Sequence, residues 1–462
     1  MLFNSPEFFA FLIAVVALFY AVPPRFRRAL LLAASYAFYM FWNAKFIVLI
    51  WALTLIDYAA GLWIGSGRNH RKTALILSLG ANLGLLGFFK YYNFFASSVA
   101  VAMGRPADAF FVHVILPLGI SFHTFQSMSY VIDVYRGQQR PIRNLLDYAL
   151  FIAFFPQLVA GPIVRAREFF GNLYHWRRPT AEELQHAAVF FVCGLTKKML
   201  FADQFAKVAD AYYRNVFAHP GLLPAWTATM AFALQIFFDF SGYTDMAIAC
   251  AKFLGFDLPE NFARPYLAAS ITEFWRRWHI SLSRWLRDYL YIPLGGNRQG
   301  HWKTYRNLLL TMLLGGLWHG ANWTFLLWGL WHGWLLALER MAGLRTQRQK
   351  RWDIIYAFRA AVTFTLVLLG WVLFRAPGMR EARFVYHEMF FGARGEGLLS
   401  PGLWLLIAFS LVFAIFEEKR AILERFPRLP IPVQAAALTV LFICFELFAV
   451  IDEKHPFVYF QF

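Results

Sequence analysis

Long apolar stretches separated by short polar clusters run the length of the 462-residue chain. A helix needs about 20 apolar residues to cross a bilayer core of about 30 Å. Stretches of that length, or close to it, run from Pro6 to Val22, Ala29 to Trp42, Phe46 to Ile64, Thr73 to Phe89, Val114 to Val134, Leu146 to Val159 and Ala187 to Phe201. A longer one covers Pro224 to Leu254. Others follow at Leu308 to Trp318, Trp323 to Leu338, Ile354 to Phe374, Leu403 to Phe416 and Val433 to Val450. The pattern predicts an all-α polytopic membrane protein with about 11–13 transmembrane or re-entrant helices, the shorter stretches being re-entrant or tilted. No fixed-period repeat, Pro/Ser-rich linker or low-complexity segment interrupts it, which predicts a single integral-membrane domain over 1–462. The first stretch has no basic segment before it and reads as a span, not a cleaved signal peptide.

One segment follows a different pattern. Phe274, Trp278, Leu282, Trp285 and Tyr289 recur at helical spacing among Arg276, Arg277, Arg284 and Arg287. This predicts an amphipathic helix lying in the membrane interface, with Thr272 as its N-cap and the Pro-Leu-Gly-Gly-Asn run at 293–297 ending it. Glu273–Arg277 and Arg284–Asp288 are spaced for ion pairs along it.

Composition strengthens the membrane reading. Apolar residues make up 59% of the chain and charged residues 15%, too apolar a mixture to cover a soluble surface. The net charge of +17 excludes neither nucleic acid nor an anionic surface by itself. Its distribution decides: Arg25, Arg27 and Arg28, then Arg68, Arg71 and Lys72, then Arg136, Arg140 and Arg143 occupy alternate loops. The positive-inside rule puts these loops in the cytoplasm and the N-terminus outside, with no role for nucleic acid. Arg165, Arg167, Arg177 and Arg178 break the alternation, which predicts that Leu146–Val159, or the Pro-Gly segment after it, re-enters the membrane. Cys193, Cys250 and Cys444 are far apart and lack CxxC spacing, so neither a disulfide framework nor a metal site is expected.

Histidine is the usual general base near neutral pH, and it is costly inside a membrane. Four histidines lie in or beside apolar stretches: His123, His279, His319 and His332. His319 sits in Leu-Leu-Gly-Gly-Leu-Trp-His-Gly-Ala-Asn-Trp. There glycines permit close approach, Trp318 and Trp323 could wall a pocket, and Asn322 could orient the ring. A packed histidine bonded to helix backbone fits the same pattern. His279, on the basic helix, stands one position round from the Trp face and also fits a polar surface residue. His332, in a second Trp-His-Gly, and His123 read as structural. Asp239, Tyr243 and Asp245 lie inside the long apolar stretch. They fit a polar pocket, an ion pair with an arginine of the basic segment, or a buried structural pair. HExxH, P-loop, dinucleotide and GxSxG signatures are all missing, which leaves zincin, nucleotide-hydrolysing, hydride-transfer and serine-hydrolase chemistry unsupported.

The ordered set of motifs resembles the membrane-bound O-acyltransferase family, in its alginate O-acetyltransferase-like branch. It consists of Gly119-Ile-Ser-Phe-His-Thr-Phe-Gln126, Val131-Ile-Asp-Val-Tyr-Arg-Gly137, Phe155-Pro-Gln-Leu-Val-Ala-Gly-Pro-Ile-Val-Arg165 and Asp239-Phe-Ser-Gly-Tyr-Thr-Asp-Met-Ala247. It continues through Phe274-Trp-Arg-Arg-Trp-His279 to Arg298, Gly316-Leu-Trp-His-Gly-Ala-Asn-Trp323 and Pro456-Phe-Val-Tyr-Phe-Gln-Phe462. The resemblance implies a ring of helices around a catalytic tunnel, with His319 as the catalytic histidine and His279 as the second catalytic position. It implies an enzyme of the bacterial inner membrane that moves an acetyl group from a cytoplasmic thioester donor, acetyl-CoA or similar, to an exported polysaccharide. The transfer would be direct or through a periplasmic partner of the SGNH (serine–histidine–aspartate esterase) type. No tightly bound cofactor is expected, and cofactor-binding residues are not assigned. Two alternatives remain at this point. One is a D-alanyl transferase for teichoic acids, which the Tyr-Ile-Pro-Leu-Gly-Gly-Asn-Arg run disfavours. The other is a transporter of the acetyl donor or glycan whose chemistry a partner performs, compatible with the interruption at Ala160-Gly161-Pro162.

Overall fold

The structure is a computed structural model that describes residues 1–67, 69–159, 161–344, 353–418, 421–449 and 457–458. Arg68, Ala160, Pro456 and residues 459–462 lie outside the described residues. Every regular element among those described is helical. In chain order the helices are α1 (Pro6–Ala21), α2 (Pro24–Asn43), α3 (Ile47–Gly65), α4 (Arg71–Leu86), α5 (Tyr92–Ala102), α6 (Ile120–Tyr135) and α7 (Leu145–Ala153). Then come α8 (Phe155–Leu158), α9 (Ala166–Tyr174), α10 (Ala181–Thr196), α11 (Asp203–Arg214), α12 (Leu222–Phe253), α13 (Ile271–Arg277) and α14 (Ile280–Leu286). The last are α15 (His301–His319), α16 (Trp323–Met341), α17 (Ile354–Arg375), α18 (Met379–Phe391), α19 (Pro401–Glu418), α20 (Ala421–Arg425) and α21 (Ile431–Phe448). Five helical segments among the described residues are long and apolar enough to cross a membrane: Pro24–Gly65, Arg71–Ala102, Leu222–Phe253, Ile354–Arg375 and Ile431–Phe448. The chain is a multi-pass membrane protein.

Two compact units divide the chain, one comprising Met1–Ala187 with Met246–Pro259, the other Ala188–Asp245 with Glu260–Phe462. In the first unit, α1 starts at an N-cap serine: Ser5 Oγ accepts from the Phe8 N–H at 3.3 Å, with Pro6 at the first helical position. Asp57 on α3 is buried, and it is held by Ser78 Oγ at 2.5 Å and Asn82 Nδ2 at 2.9 Å from α4. Such interhelical bonds satisfy a polar group that lipid cannot. His123 is buried on α6 of this unit. Gly119, just before α6, has φ +72°, and a Cβ there would stand 2.7 Å from the Leu158 carbonyl oxygen.

The basic loops of this unit gather at one end. The Arg28 guanidinium pairs with Asp147 at 3.0 Å, Arg71 donates to the Tyr135 carbonyl at 3.2 Å, and Tyr58 donates to the Arg143 carbonyl at 2.5 Å. Arg27 lies over the Trp176 ring and Arg178 over the Tyr20 ring. The 176–178 segment, which breaks the alternation of charge, therefore returns to the end that carries Arg27. The reason is the intervening chain. At nine residues, about 14 Å, α7 is too short to cross, and it breaks at Phe154 into the four-residue α8.

The second unit is built on α12, α15, α16 and α17, whose buried faces meet in an aromatic core around Trp278, Trp328, Trp371 and Phe374. Gly316 on α15 and Gly329 on α16 let these two helices touch. A Cβ on Gly316 would meet the Phe325 carbonyl and come within 3.1 Å of the Gly329 Cα, and one on Gly329 would meet the Met312 carbonyl. Small residues at a helix crossing bring backbones together in this way.

Here the amphipathic reading is corrected in three respects. The segment is not one helix: α13 ends at Arg277 and α14 begins at Ile280. Its apolar face is not offered to lipid either, because Phe274, Trp278, Leu282, Trp285 and Tyr289 are all buried in the protein. The N-cap is Ser270, not Thr272. Ser270 Oγ accepts from the Glu273 N–H at 3.1 Å, while the Thr272 hydroxyl is drawn to Glu339 at 2.6 Å. Beyond α14 the chain closes a π-turn over Arg287–Tyr291 and turns through Gly295 and Gly296, where φ is positive.

Candidate active site

His319 is the last residue of α15, and Gly320 follows it because the Phe325 ring occupies the place of a Cβ. The imidazole is buried and walled by three rings. Trp318 lies 4.9 Å away, Trp328 5.1 Å and Phe374 5.3 Å between centroids, all at steep interplanar angles. Edge-to-face packing of this kind fixes a ring's orientation.

His279 stands in the break between α13 and α14, at φ 42° and ψ 57°. A non-glycine residue pays roughly 1–2 kcal/mol to adopt this left-handed conformation, and such strain collects at functional positions. The kink turns the side chain inward, where it is fully buried. It packs edge-on to Phe240 of α12 at 4.7 Å and faces Trp318 at 6.1 Å. The two histidines, forty positions apart in sequence, thus share Trp318 as a neighbour.

Sequence neighbours of His319 play other parts than expected. Asn322 does not orient the imidazole. Its Oδ1 caps α16 by accepting from the Thr324 N–H at 3.1 Å, and its Nδ2 donates to the Pro377 carbonyl at 3.0 Å. Trp323 is 53% exposed and does not wall the site. The chain turns at 320–322, so the residues that follow His319 leave it. The walls come instead from Trp328, one and a half turns into α16, from Phe374 near the end of α17, and from Phe240. Local sequence carries no signal for the first two; Phe240 lies inside the Asp239–Ala247 motif. His332 is buried one ring further on, 5.0 Å from Trp328 and stacked on Phe274 at 6.0 Å.

Asp239 and Asp245 form buried ion pairs on α12. Their partners are the consecutive lysines of a π-turn after α10. Lys197 Nζ lies 2.6 Å from Asp245, and Lys198 Nζ lies 2.9 Å from Asp239 and 2.7 Å from Asp203. The second Asp239 oxygen accepts from the Val458 N–H at 2.6 Å, and the Phe457 ring stacks on Tyr243 at 4.8 Å. Charges buried in pairs, one of them also bonded to backbone, are a supporting frame for α12, the helix that carries Phe240. No group of three His, Cys, Asp or Glu among the described residues is placed to hold a metal ion. The three cysteines are free.

What this arrangement offers chemically is a pair of imidazoles in an aromatic, water-poor setting, in a chain whose relatives are informative. Residues 138–374 match the model of MBOAT, the membrane-bound O-acyltransferase family. The chain is 46% identical to the probable alginate O-acetylase AlgI of Pseudomonas putida, over 84% of this chain and 80% of that one. It is 40% identical to the peptidoglycan O-acetyltransferase of Helicobacter pylori, over 83% and 78%. It is 28% identical to the teichoic acid D-alanyltransferase of Bacillus subtilis, over 56% and 68%. The family match across 138–374 and the 46% identity over most of both chains make the chain an enzyme that transfers acyl groups to oxygen: it belongs to the membrane-bound O-acyltransferase family.

Proposed function

We propose that the protein is a membrane-embedded acetyltransferase that carries an acetyl group from a cytoplasmic thioester, such as acetyl-CoA, to hydroxyl groups of an exported polysaccharide. The observation that carries this reading is the convergence of His279 and His319 on Trp318. In the reaction His319 removes the proton of an attacking hydroxyl as its oxygen bonds to the thioester carbonyl carbon. His279 stabilises the charge that develops on the carbonyl oxygen. The tetrahedral intermediate collapses by breaking the C–S bond, and the imidazolium of His319 returns the proton to the thiolate. The walls of Trp318, Trp328 and Phe374 keep water from competing for the acyl group.

The attacking hydroxyl belongs to a sugar, or to the serine of a periplasmic SGNH-type partner that passes the group on. The basic end of the first unit faces the cytoplasm, which puts the N-terminus outside the bacterial inner membrane. The tunnel between the two membrane faces that this transfer needs belongs to the same reading. The similarity to alginate and peptidoglycan O-acetyltransferases, at 46% and 40% identity over more than four fifths of the chain, supports acetyl as the cargo over the more distant D-alanyl transferase.

The test is transfer of radiolabel from acetyl-CoA by the purified protein in proteoliposomes to a hydroxyl acceptor on the opposite face. Label on the acceptor, absent with His319→Ala, supports the reading. Label that crosses only as free acetyl donor would refute it.

A further inference from the structure

His279 is held in its left-handed conformation by a stretch of chain that no sequence motif of the site includes. The three residues Asn261, Phe262 and Ala263 lie across the break between α13 and α14. The Asn261 carbonyl accepts from the Ile280 N–H at 2.9 Å, and its side-chain Oδ1 accepts from the Ser281 N–H at 3.2 Å. These are the first two N–H groups of α14, which no residue of that helix can satisfy. The Ala263 N–H donates to the Arg277 carbonyl at 2.9 Å, which ends α13 on the other side of the break. Between them the Phe262 ring packs at 5.1 Å on both Phe240 and Trp278. Asn261 is itself buried, and its Nδ2 reaches Thr244 Oγ1 at 3.5 Å. Thr244 lies one turn along α12 from Phe240, the ring against which His279 packs.

The consequence follows from the backbone. Without a brace, the apolar period through Trp278 and Leu282 favours one unbroken helix, and a histidine gains nothing intrinsically from φ 42°. An unbroken helix would carry the His279 side chain round, away from Trp318. Asn261 opposes that by occupying, from outside, the two N–H groups that a continuous helix would bond to its own previous turn.

We propose that Asn261 is a positioning residue for the acyl-transfer reaction, acting by locking the backbone of His279 so that its imidazole stays beside Trp318. This rests on the catalytic reading of His279, and the experiment separates the two. Initial rates of acetyl transfer from radiolabelled acetyl-CoA are measured in membranes of producing cells at matched protein amounts. The variants are Asn261→Ala, Asn261→Asp, His279→Ala and the Asn261→Ala/His279→Ala pair. Asn261→Ala is expected to lower the maximum rate at least about tenfold with the KM for acetyl-CoA changed less than about twofold. Asn261→Asp keeps the Oδ1 acceptor and is expected to recover most of that rate. The pair is expected to be no slower than His279→Ala alone, because Asn261 acts through His279.

Should Asn261→Ala not accumulate, Asn261→Ser keeps the carbonyl bond while losing the side-chain reach, and carries the same expectations. A wild-type rate for Asn261→Ala beside an inactive His279→Ala would overturn the positioning role and leave the reading of His279 standing. Losses that multiply in the pair would also overturn it, by showing a role independent of His279. A wild-type rate for His279→Ala would remove the reading of His279 and this inference with it.

Discussion

His279 and His319 face the same indole: the Trp318 ring lies 6.1 Å from the first and 4.9 Å from the second. They reach it from different backbone settings. His319 arrives at the end of a regular helix, α15. His279 arrives at a break between two short ones, with its backbone left-handed. The site is therefore assembled from one relaxed and one strained element, and each depends on packing outside the motif in which its histidine occurs.

The α15–α16 crossing is the packing on which His319 depends. Gly316→Ala would place a methyl group against the Phe325 carbonyl, which belongs to the backbone of α16 and cannot swing aside. The expected result is a loss of about 1–3 kcal/mol of stability, together with a lower transfer rate as α15 is displaced. Thermal unfolding in detergent and acetyl-transfer rate, measured on the same preparation, check both halves.

Asn322 separates a cap from a catalytic orienter. As the N-cap of α16 it is worth about 1 kcal/mol against alanine. Asn322→Ala is expected to lower the thermal transition modestly and to leave the transfer rate of the folded protein within about twofold of wild type. A rate loss as deep as that of a histidine variant would mean that Asn322 reaches the imidazole during turnover.

The paired lysines hold the frame of α12. Lys198 serves two carboxylates, Asp239 and Asp203, all three buried. Lys198→Met takes a shared cation away from both acids, and removing one partner of a buried pair costs about 3–5 kcal/mol. The expected outcome is a protein that accumulates poorly in the membrane. Adding Asp239→Asn and Asp203→Asn to Lys198→Met is expected to restore part of the loss, read as the amount of folded protein recovered in mild detergent.

Much of this was legible in the sequence, and the exceptions share a cause. Apolar runs mark the helices, and the charge of Arg177 and Arg178 points to an irregular stretch of chain before them, where α7 and α8 are both short. His319 stood out through its glycines. The break at His279 was hidden because Phe274, Trp278, Leu282 and Trp285 keep helical spacing straight across it. A left-handed histidine is set by Asn261, about twenty positions upstream, a contact that periodicity cannot register. Trp323 and Asn322 misled for the opposite reason. They are close to His319 in sequence, but a turn sends them elsewhere. The acids of α12 fit several environments from sequence alone, an arginine partner among them. Yet Lys197 and Lys198, two adjacent charges inside an apolar run, already needed buried partners of their own.

The central claim is that His319 performs the proton transfer. The most direct measurement is the rate of acetyl transfer by His319→Ala at an amount in the membrane equal to that of wild type, with the thermal transition confirming that the variant is folded. The account predicts a rate lower by about 10²–10⁴-fold, the usual contribution of a general base. A folded His319→Ala that acetylates at the wild-type rate would contradict it.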